Sequence, residues 1–539
     1  MSGSGSGPAE IRVLFGTETG NAELVAGNLV EAAEARGLAA RLNALNDVAP
    51  DELAGSVPVL VVIATTGDGE MPYTAETFWT AISADPGPRL DGTPFAVLGL
   101  GDTGYFEFCR AAEVLDERFA ELGGQRLLAM RTCDWDYDEP AAAWTTEVLG
   151  LLTSAPAPEP AAHEHPPRRP AWNRERPYPA TIRVSHWLTG TGALKPVRHV
   201  ELEVDAAELS YRPGDSLGVI PSNDPGLVDA VLDHLGEDGG REVDGRPLRA
   251  VLTDSYEISR PSRELVEEIG RRTDDAELAA LLAGSDRAAL HEYLWARDVL
   301  DLLALPVRTP FTVTELLGVL QPLAHRSYSI ASSPLVDAGR VGLTVASLRY
   351  SAAGRHRTGV CSTHLADRLG EGDTAQVFLV PNEAFRPPDD DAADMIMVGP
   401  GTGVAPFRGF LHERRARGAG GRNWLFFGAR HQRCDSLYAD ELGAMHADGL
   451  LNRLDLAYSR DSRPKTYVQQ RMREQGAELY AWLKGGAYFY VCGDATRMAG
   501  DVDTALQEIV AEHGGLGADE AAAFVDDMRR EHRYQRDVY

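Results

Sequence analysis

Arg326, Tyr328 and Ser329 share one short stretch, HRSYSIASSP (His325–Pro334). In it Arg326, Tyr328 and Ile330 alternate with Ser327, Ser329 and Ala331, a period of two that reads as a strand ended by Pro334. A guanidinium, a phenol and a hydroxyl among small residues suit a flat aromatic ligand that carries phosphates. Arg326 would meet a pyrophosphate, Tyr328 would lie along the ring system and Ser329 would reach its reactive edge. Exposed sheet faces carry similar strings, so the neighbours decide. A glycine loop, VGPGTGVAPFR (Val398–Arg408), lies downstream, and FGTETGNA (Phe15–Ala22) opens the chain. Three phosphate-type sites in one chain suggest a relay with Arg326–Ser329 at its middle.

In the first loop Thr17, Glu18, Thr19, Gly20, Asn21 and Ala22 offer hydroxyls and backbone amides at a helix start, which suits a phosphate monoester. No lysine follows in the Walker position, so a nucleoside triphosphate is not expected. Two further loops would flank an attached ring. One is Ala64, Thr65, Thr66 and Gly67. The other is Leu100, Gly101, Asp102, Thr103, Gly104, Tyr105, Phe106, Glu107, Phe108 and Cys109, with Tyr105 stacking on the ring. Farther on, Gly359, Val360, Cys361 and Ser362 precede a helix expected over Thr363–Leu369, a second anion seat beside Arg326. A dinucleotide's pyrophosphate would use both. After the glycine loop, a strand over Leu454–Tyr458 ends in Ser459 and Arg460, with Lys465, Tyr467 and Gln469 beyond. A serine and cations there suit a 2′-phosphate, where an NAD site would present a carboxylate.

The elements that must position these residues follow from periodicity. Strands over Ile11–Phe15, Val57–Ala64 and Phe95–Leu100 alternate with helices over Ala22–Arg36 and Arg110–Leu122, giving a doubly wound parallel sheet. All three loops then fall at the carboxyl ends of strands, where such sheets bind ligands. Thr153–Pro179 contains APAPEPAAHEHPPRRP and reads as a semi-extended tether, its His163 and His165 solvated and no metal site expected. Strands return at Thr181–Leu188, His199–Val204 and Leu217–Ile220. A helical insertion spans about 224–320, with runs at Ser262–Arg272, Asp275–Ala283 and Ala288–Ala304. Strands over Arg326–Ala331, Val341–Tyr350 and Ala375–Leu379 complete the β region. The last part alternates again: strands over Met395–Val398, Trp424–Gly428, Leu454–Tyr458 and Tyr488–Val491, the last delivering Cys492 and Asp494 to the ligand edge. The expected domains are a tail over 1–9, then 10–152, a linker over 153–179, 180–391 with its insertion, and 392–539.

The chain has 539 residues and a net charge of −29, which disfavours nucleic acid and anionic membranes as partners. No apolar run approaches the ~18 residues of a membrane span. Five scattered cysteines without a C-x-x-C pair point to a reducing cytoplasm. Residues 1–152 hold 24 Asp/Glu against 8 Arg and no Lys, a net −16. That excess serves solubility or an acidic docking surface for a basic partner.

T-x-T-G-N, T-T-G-D-G-E and L-G-D-x-x-Y together resemble the flavodoxin-like FMN domain of the diflavin reductase family. R-S-Y-S, G-P-G-T-G-x-A-P-F-R, S-R-x(4)-K-x-Y-V-Q, Y-V-C-G-D and a terminal aromatic resemble the family's ferredoxin–NADP reductase-type half. NWLFFGAR, YVQQRMREQGAELY and Arg533–Tyr539 look like the flavoprotein subunits of bacterial NADPH–sulfite reductases. The resemblance implies a flavodoxin-like domain, a β-barrel FAD domain with a helical insertion, and an α/β NADP-binding domain. It assigns FMN to the first three loops. It assigns FAD to Arg326, Ser327, Tyr328, Ser329, Thr344, Val345, Ala346, Tyr350, Gly359, Val360, Cys361, Ser362 and Tyr539. NADPH falls to Gly401, Thr402, Gly403, Ser459, Arg460, Lys465, Thr466, Tyr467, Val468, Gln469, Cys492 and Asp501, with Ser329, Cys492, Asp537 and Tyr539 around the hydride path. Electrons would pass from NADPH through FAD and FMN to a haem or iron–sulfur partner. The partner this resemblance favours is the sirohaem subunit that reduces sulfite to sulfide. The alternatives are a soluble reductase serving a mono-oxygenase haemoprotein and an electron-storage scaffold.

Overall fold

A computed structural model describes residues 10–18, 20–67, 69–85, 87–102, 107–134, 137–153, 172–284, 287–352, 354–495 and 497–539. Thr19, Thr103, Gly104, Tyr105 and Phe106 among the expected site residues lie outside these, as do His163 and His165. The chain forms two compact units divided between Arg168 and Arg169.

The first unit is a parallel sheet of β1 (Glu10–Gly16), β2 (Ala39–Ala44), β3 (Val59–Ala64) and β4 (Pro94–Leu100), with short β5 (Gln125–Arg126) and β6 (Arg131–Cys133) both beside β4. The order is β2-β1-β3-β4-β5, every pairing parallel. β3 reads VLVVIA and is buried along nearly its whole length, as a strand covered on both faces must be. Helices Asn21–Glu34 and Asp138–Leu152 cover one face, through Ala22, Leu29, Trp144 and Val148. Glu76–Ile82 and Arg110–Glu121 cover the other, through Phe78, Ile82, Leu115 and Phe119. Strand order reverses between β1 and β3, which opens a crevice at their carboxyl ends. β2 escapes a hydrophobicity reading because it is a largely exposed edge, AARLNA.

The second unit opens with β7 (Tyr178–Trp187), β8 (Val197–Glu203) and β9 (Ser216–Ile220). The helical stretch follows, interrupted by the hairpin β10 (Glu242–Val243) and β11 (Arg246–Pro247). The run expected over Ala288–Ala304 divides into Arg287–Leu294 and Val299–Leu303. Ala296 takes a φ of 61°, and Asp298 starts the second helix with a capping box. Strands return as β12 (Arg326–Ser329), β13 (Arg340–Ala346), the hairpin β14 (Arg349–Ala352) and β15 (Arg355–Thr358), and β16 (Thr374–Val380). Arg355 and Arg357 both reach Asp298 and Asp301, tying this hairpin to the helical stretch through a buried ion cluster. The order β12-β9-β16-β7-β8-β13 is antiparallel throughout. Its two ends meet: Ile330 bridges Leu343, and the Ala331 N–H donates to the Gly342 carbonyl at 2.7 Å, so the sheet curls round on itself.

The same unit ends in a parallel sheet of β17 (Met395–Val398), β18 (Asn423–Ala429), β19 (Arg453–Tyr458), β20 (Tyr488–Gly493) and β21 (Tyr534–Val538), ordered β19-β18-β17-β20-β21. The direction of winding reverses at β17, next to β20. β21 went unread because its buried positions do not alternate strictly and it carries Gln535, Arg536 and Asp537.

Candidate active site

In the first unit the loop after β1 meets the helix Asn21–Glu34, whose N-terminus has no side-chain cap and is preceded by Gly20 at φ 90°. Thr17 is buried, and its Oγ1 accepts the Gly20 N–H at 2.8 Å, leaving its hydroxyl proton to donate elsewhere. Glu18 turns back to accept the Tyr73 N–H at 2.9 Å, and Asn21 and Ala22 begin the helix. Ala64 ends β3. The Thr65 N–H donates to the Leu100 carbonyl at 3.0 Å and its Oγ1 accepts the Ala111 N–H at 3.1 Å. Thr66 pairs with Glu70 around Gly67, at φ 57°. The Gly101 N–H donates to the Cys133 carbonyl at 2.9 Å, and a Cβ at Gly101 would lie 2.8 Å from the Cys109 sulfur and 3.0 Å from the Phe108 ring. Asp102 and Glu107 bound that loop, and Cys109, at φ 53°, starts the next helix. An uncapped helix start, a left-handed glycine and inward threonine hydroxyls fit a phosphate monoester, and so FMN.

On β12 the Arg326 guanidinium donates to Glu257 Oε2 at 3.1 Å and to the carbonyls of Ala324 and His325 at 3.0 and 3.1 Å. Glu257 is buried and also accepts from the Ser259 N–H at 2.8 Å. Sequence reasoning missed Glu257, one of many carboxylates in the helical stretch, with nothing local to set it apart. Ser327 is exposed and Tyr328 is largely covered. Burial pushes the Tyr328 phenol well above its ordinary pKa, and burial likewise pushes the neighbouring Cys361 thiol up to about 11. The helix expected over Thr363–Leu369 starts sooner, at Val360–Thr363, then widens into a π-type turn over His364–Arg368. Its start after Gly359 carries no side-chain cap. Arg368 wraps that start, donating to the carbonyls of Val360 and Ser222 at 2.6 Å each, while its buried Nε has no partner among the described residues. Ser362 accepts the Leu348 N–H at 3.2 Å. Two guanidiniums and open amides around Cys361 fit a pyrophosphate, and so FAD. Thr344 shares its hydroxyl with Tyr438 at 2.7 Å, Val345 is fully buried, and Tyr350 is exposed on the β14–β15 hairpin.

The curled sheet and the second parallel sheet meet at Ser329. Its Oγ donates to Asp537 Oδ2 at 2.6 Å, and the Cys492 thiol approaches the same oxygen at 3.6 Å. Asp537 and Cys492 are register partners on β21 and β20. Burial raises the Asp537 pKa, opposed by the donors Ser329 and Cys492, and burial lifts the Cys492 thiol well above its usual value. Cys492 is thus a protonated, fully buried thiol, and Asp537 a buried carboxyl group whose one oxygen gathers both donors. Two residues on, the Tyr539 N–H donates to the Gly493 carbonyl at 3.0 Å and its carbonyl accepts the Ala495 N–H at 3.1 Å. Its phenol meets Thr402 Oγ1 at 2.9 Å while the side chain stays 63% exposed.

Tyr539 borders a cleft of about 630 Å³ over the carboxyl ends of β17, β18, β19 and β20. Gly401, Thr402, Ser459, Thr466, Tyr467, Val468, Gln469 and Asp501 line it, and Ala346 reaches it from the curled sheet. Gln469 Nε2 donates to Asp501 Oδ2 at 3.0 Å. Gly403 does not line the cleft but packs beneath it: a Cβ there would lie 2.0 Å from the Cys492 carbonyl oxygen. Arg460 and Lys465 are exposed on the loop at the mouth, and neither makes an ion pair among the described residues. Three lining cations were not foreseen: Lys195, Arg430 and Arg497. Arg430 had a readable signal, since it directly follows β18 at the ligand edge. The Ser459 and Arg460 N–H groups donate to the Ala429 and Arg430 carbonyls at 2.9 Å each, and Asp461 accepts from the Gln432 N–H at 2.7 Å. These bonds hold Arg430 and Arg460 side by side. Asp435, Asp494 and Asp501 line the cleft as well, and the cations Arg430, Arg460 and Lys465 at its mouth fit a polyanionic coenzyme.

Three family models match: Flavodoxin over residues 13–144, FAD binding domain over 170–244, and Oxidoreductase NAD-binding domain over 397–504. The chain is 41% identical to the sulfite reductase [NADPH] flavoprotein alpha-component of Bacillus subtilis (strain 168), covering 98% of this chain and 89% of that one. Proteins of the same name from Serratia proteamaculans (40%; 99% and 90% covered) and Zymomonas mobilis (41%; 99% and 89%) are similar.

Proposed function

The chain belongs to the sulfite reductase [NADPH] flavoprotein alpha-component family, and from that premise we propose how its residues serve the reaction. It is an NADPH-dependent oxidoreductase with FMN, FAD and coenzyme domains in that order, passing electrons toward a partner haemoprotein subunit. When bound, the two flavins supply the conversion of two-electron nicotinamide chemistry into single-electron transfer. The contact that carries our reading is Ser329 Oγ to Asp537 Oδ2 at 2.6 Å, with Cys492 on the same oxygen. Ser329 orients the flavin edge, and Asp537 stabilises positive charge that develops on the nicotinamide. Tyr539 covers the position where the nicotinamide must sit, and Arg460 and Lys465 recognise the 2′-phosphate.

For the partner we infer a sirohaem iron–sulfur subunit; that the relatives are alpha-components of a sulfite reductase supports a partner subunit. Among the described residues no helix is long and apolar enough to cross a membrane. A cytoplasmic setting is supported by five free cysteines, four of them buried. We place domain limits at 152, 179 and 391; the change from parallel to antiparallel sheet and back supports three domains, although β7, from Tyr178, begins two residues before the second limit. Anaerobic addition of NADPH tests the function: both flavins should bleach rapidly. A flavin spectrum left unchanged by NADPH would sink the reading and favour an electron-storage scaffold.

A further inference from the structure

The loop after β1 does not stand by itself. A second segment, Pro72–Phe78, is bonded to it from the side. Thr74 Oγ1 accepts the Thr17 N–H at 2.7 Å and donates to the Thr17 carbonyl at 3.1 Å. One hydroxyl therefore grips both polar groups of a buried residue's backbone and fixes the plane of its two peptides. Beside it, the Tyr73 N–H donates to Glu18 Oε2 at 2.9 Å. The turn Tyr73–Ala75 is itself anchored: Asn46 Nδ2 donates to the Tyr73 carbonyl at 2.8 Å, and Asn46 Oδ1 accepts the Phe78 N–H at 3.1 Å. The approach is close enough that a Cβ on Gly16, the last residue of β1, would lie 3.1 Å from the Ala75 methyl.

We propose that Thr74 is a positioning residue for the flavin phosphate: it sets the direction of Thr17, whose Oγ1 holds the Gly20 N–H, and so of the open amides at Asn21 and Ala22, so that they converge on one anion. The proposal rests on the reading of this loop as the FMN phosphate seat. Thr74 bonds to the loop's backbone at Thr17. Its loss should weaken a ligand that carries phosphate and spare one that lacks it. Thr74→Val keeps the shape and removes both hydrogen bonds, leaving the Thr17 N–H and C=O without partners. Thr74→Ser keeps the hydroxyl.

The measurement is rebinding of FMN and of riboflavin to the full chain stripped of FMN, by quenching of flavin fluorescence. Thr74→Val should weaken FMN about 10- to 100-fold and riboflavin by less than about threefold, with Thr74→Ser close to the parent. Equal loss for both ligands would make Thr74 a structural prop and overturn the proposal. Gly20→Ala, strained at its φ of 90°, is the control on the seat itself. If Gly20→Ala separates FMN from riboflavin and Thr74→Val does not, the seat stands and the role of Thr74 falls. If neither separates them, the seat and the proposal fall together. Should Thr74→Val not fold, Thr74→Ala, with room for a water, replaces it in the same comparison.

Discussion

The two anion loops occupy equivalent places, each after a strand at the reversal point of a parallel sheet and before a helix, yet the main means that hold them differ. The loop after β1 is fixed by side-chain hydrogen bonds: Thr17 to Gly20, Thr74 to Thr17, Glu18 to Tyr73. The loop after β17 has a side-chain bond from Thr402 to the Tyr539 phenol but is fixed mainly by contact: Gly399 lies against Phe407 and Gly403 against the β20 backbone, with no space for a side chain at either. Hydrogen bonds leave a loop that can be loosened by degrees. Packing of backbone on backbone leaves one that either fits or does not. A terminal phosphate needs donors aimed at one point, which the first device provides. A coenzyme lying across the sheet needs a low floor, which the second provides.

The largest effect should come from breaking the packed loop. Gly403→Ala sets a methyl 2.0 Å from the Cys492 carbonyl oxygen, so backbone must move, at a cost of at least about 3 kcal/mol. Thermal unfolding of the second unit should shift down and NADPH binding should be lost, while FMN stays bound. Parental NADPH affinity in that variant would refute the packing argument. Next comes the cationic mouth. Arg460→Ala with Lys465→Ala should remove about 3–4 kcal/mol, two charge-assisted contacts less imperfect additivity, or roughly two to three orders of magnitude in NADPH over NADH preference. An unchanged ratio of kcat/KM for the two coenzymes would exclude both residues from 2′-phosphate recognition. The smallest effect belongs to Tyr539. Removing it deletes an aromatic stack worth about 0.5–1.5 kcal/mol and the bond to Thr402. NADH use and inhibition by the oxidised coenzyme should each rise about three- to tenfold, with Tyr539→Trp near the parent. Identical inhibition in parent and deletion would leave Tyr539 without a role over the nicotinamide.

Where chemistry and periodicity coincide, the sequence was legible. β3, β4 and β17 are apolar runs buried on both faces, and each ends at a glycine or polar loop that flags the ligand edge. That Ser329, Cys492 and Asp537, separated by up to 208 positions, belong to one site came from resemblance and not from spacing, since nothing local marks that Ser329 and Cys492 meet one oxygen of Asp537. Glu257, Thr74 and Asn46 were illegible for a related reason. Each works by bonding to a residue distant in the chain, and its own neighbourhood looks like ordinary surface. The helix over Ala288–Ala304 failed differently: its apolar period runs straight through Ala296, but the first helix stops at Leu294, Ala296 turns to a positive φ, and the Asp298 capping box starts a second helix.

The chain carries three lysines, Lys195, Lys465 and Lys484, among 52 basic residues. Lys195 lines the coenzyme cleft and Lys465 stands on the loop at its mouth. Guanidinium groups are indifferent to acylating metabolites at neutral pH, whereas primary amines are their target. A molecule so nearly devoid of amines has little surface that acetylation can alter. Two of its three acceptor side chains stand where coenzyme charge is recognised, so acylation in the cell would fall on NADPH use before it touched either flavin.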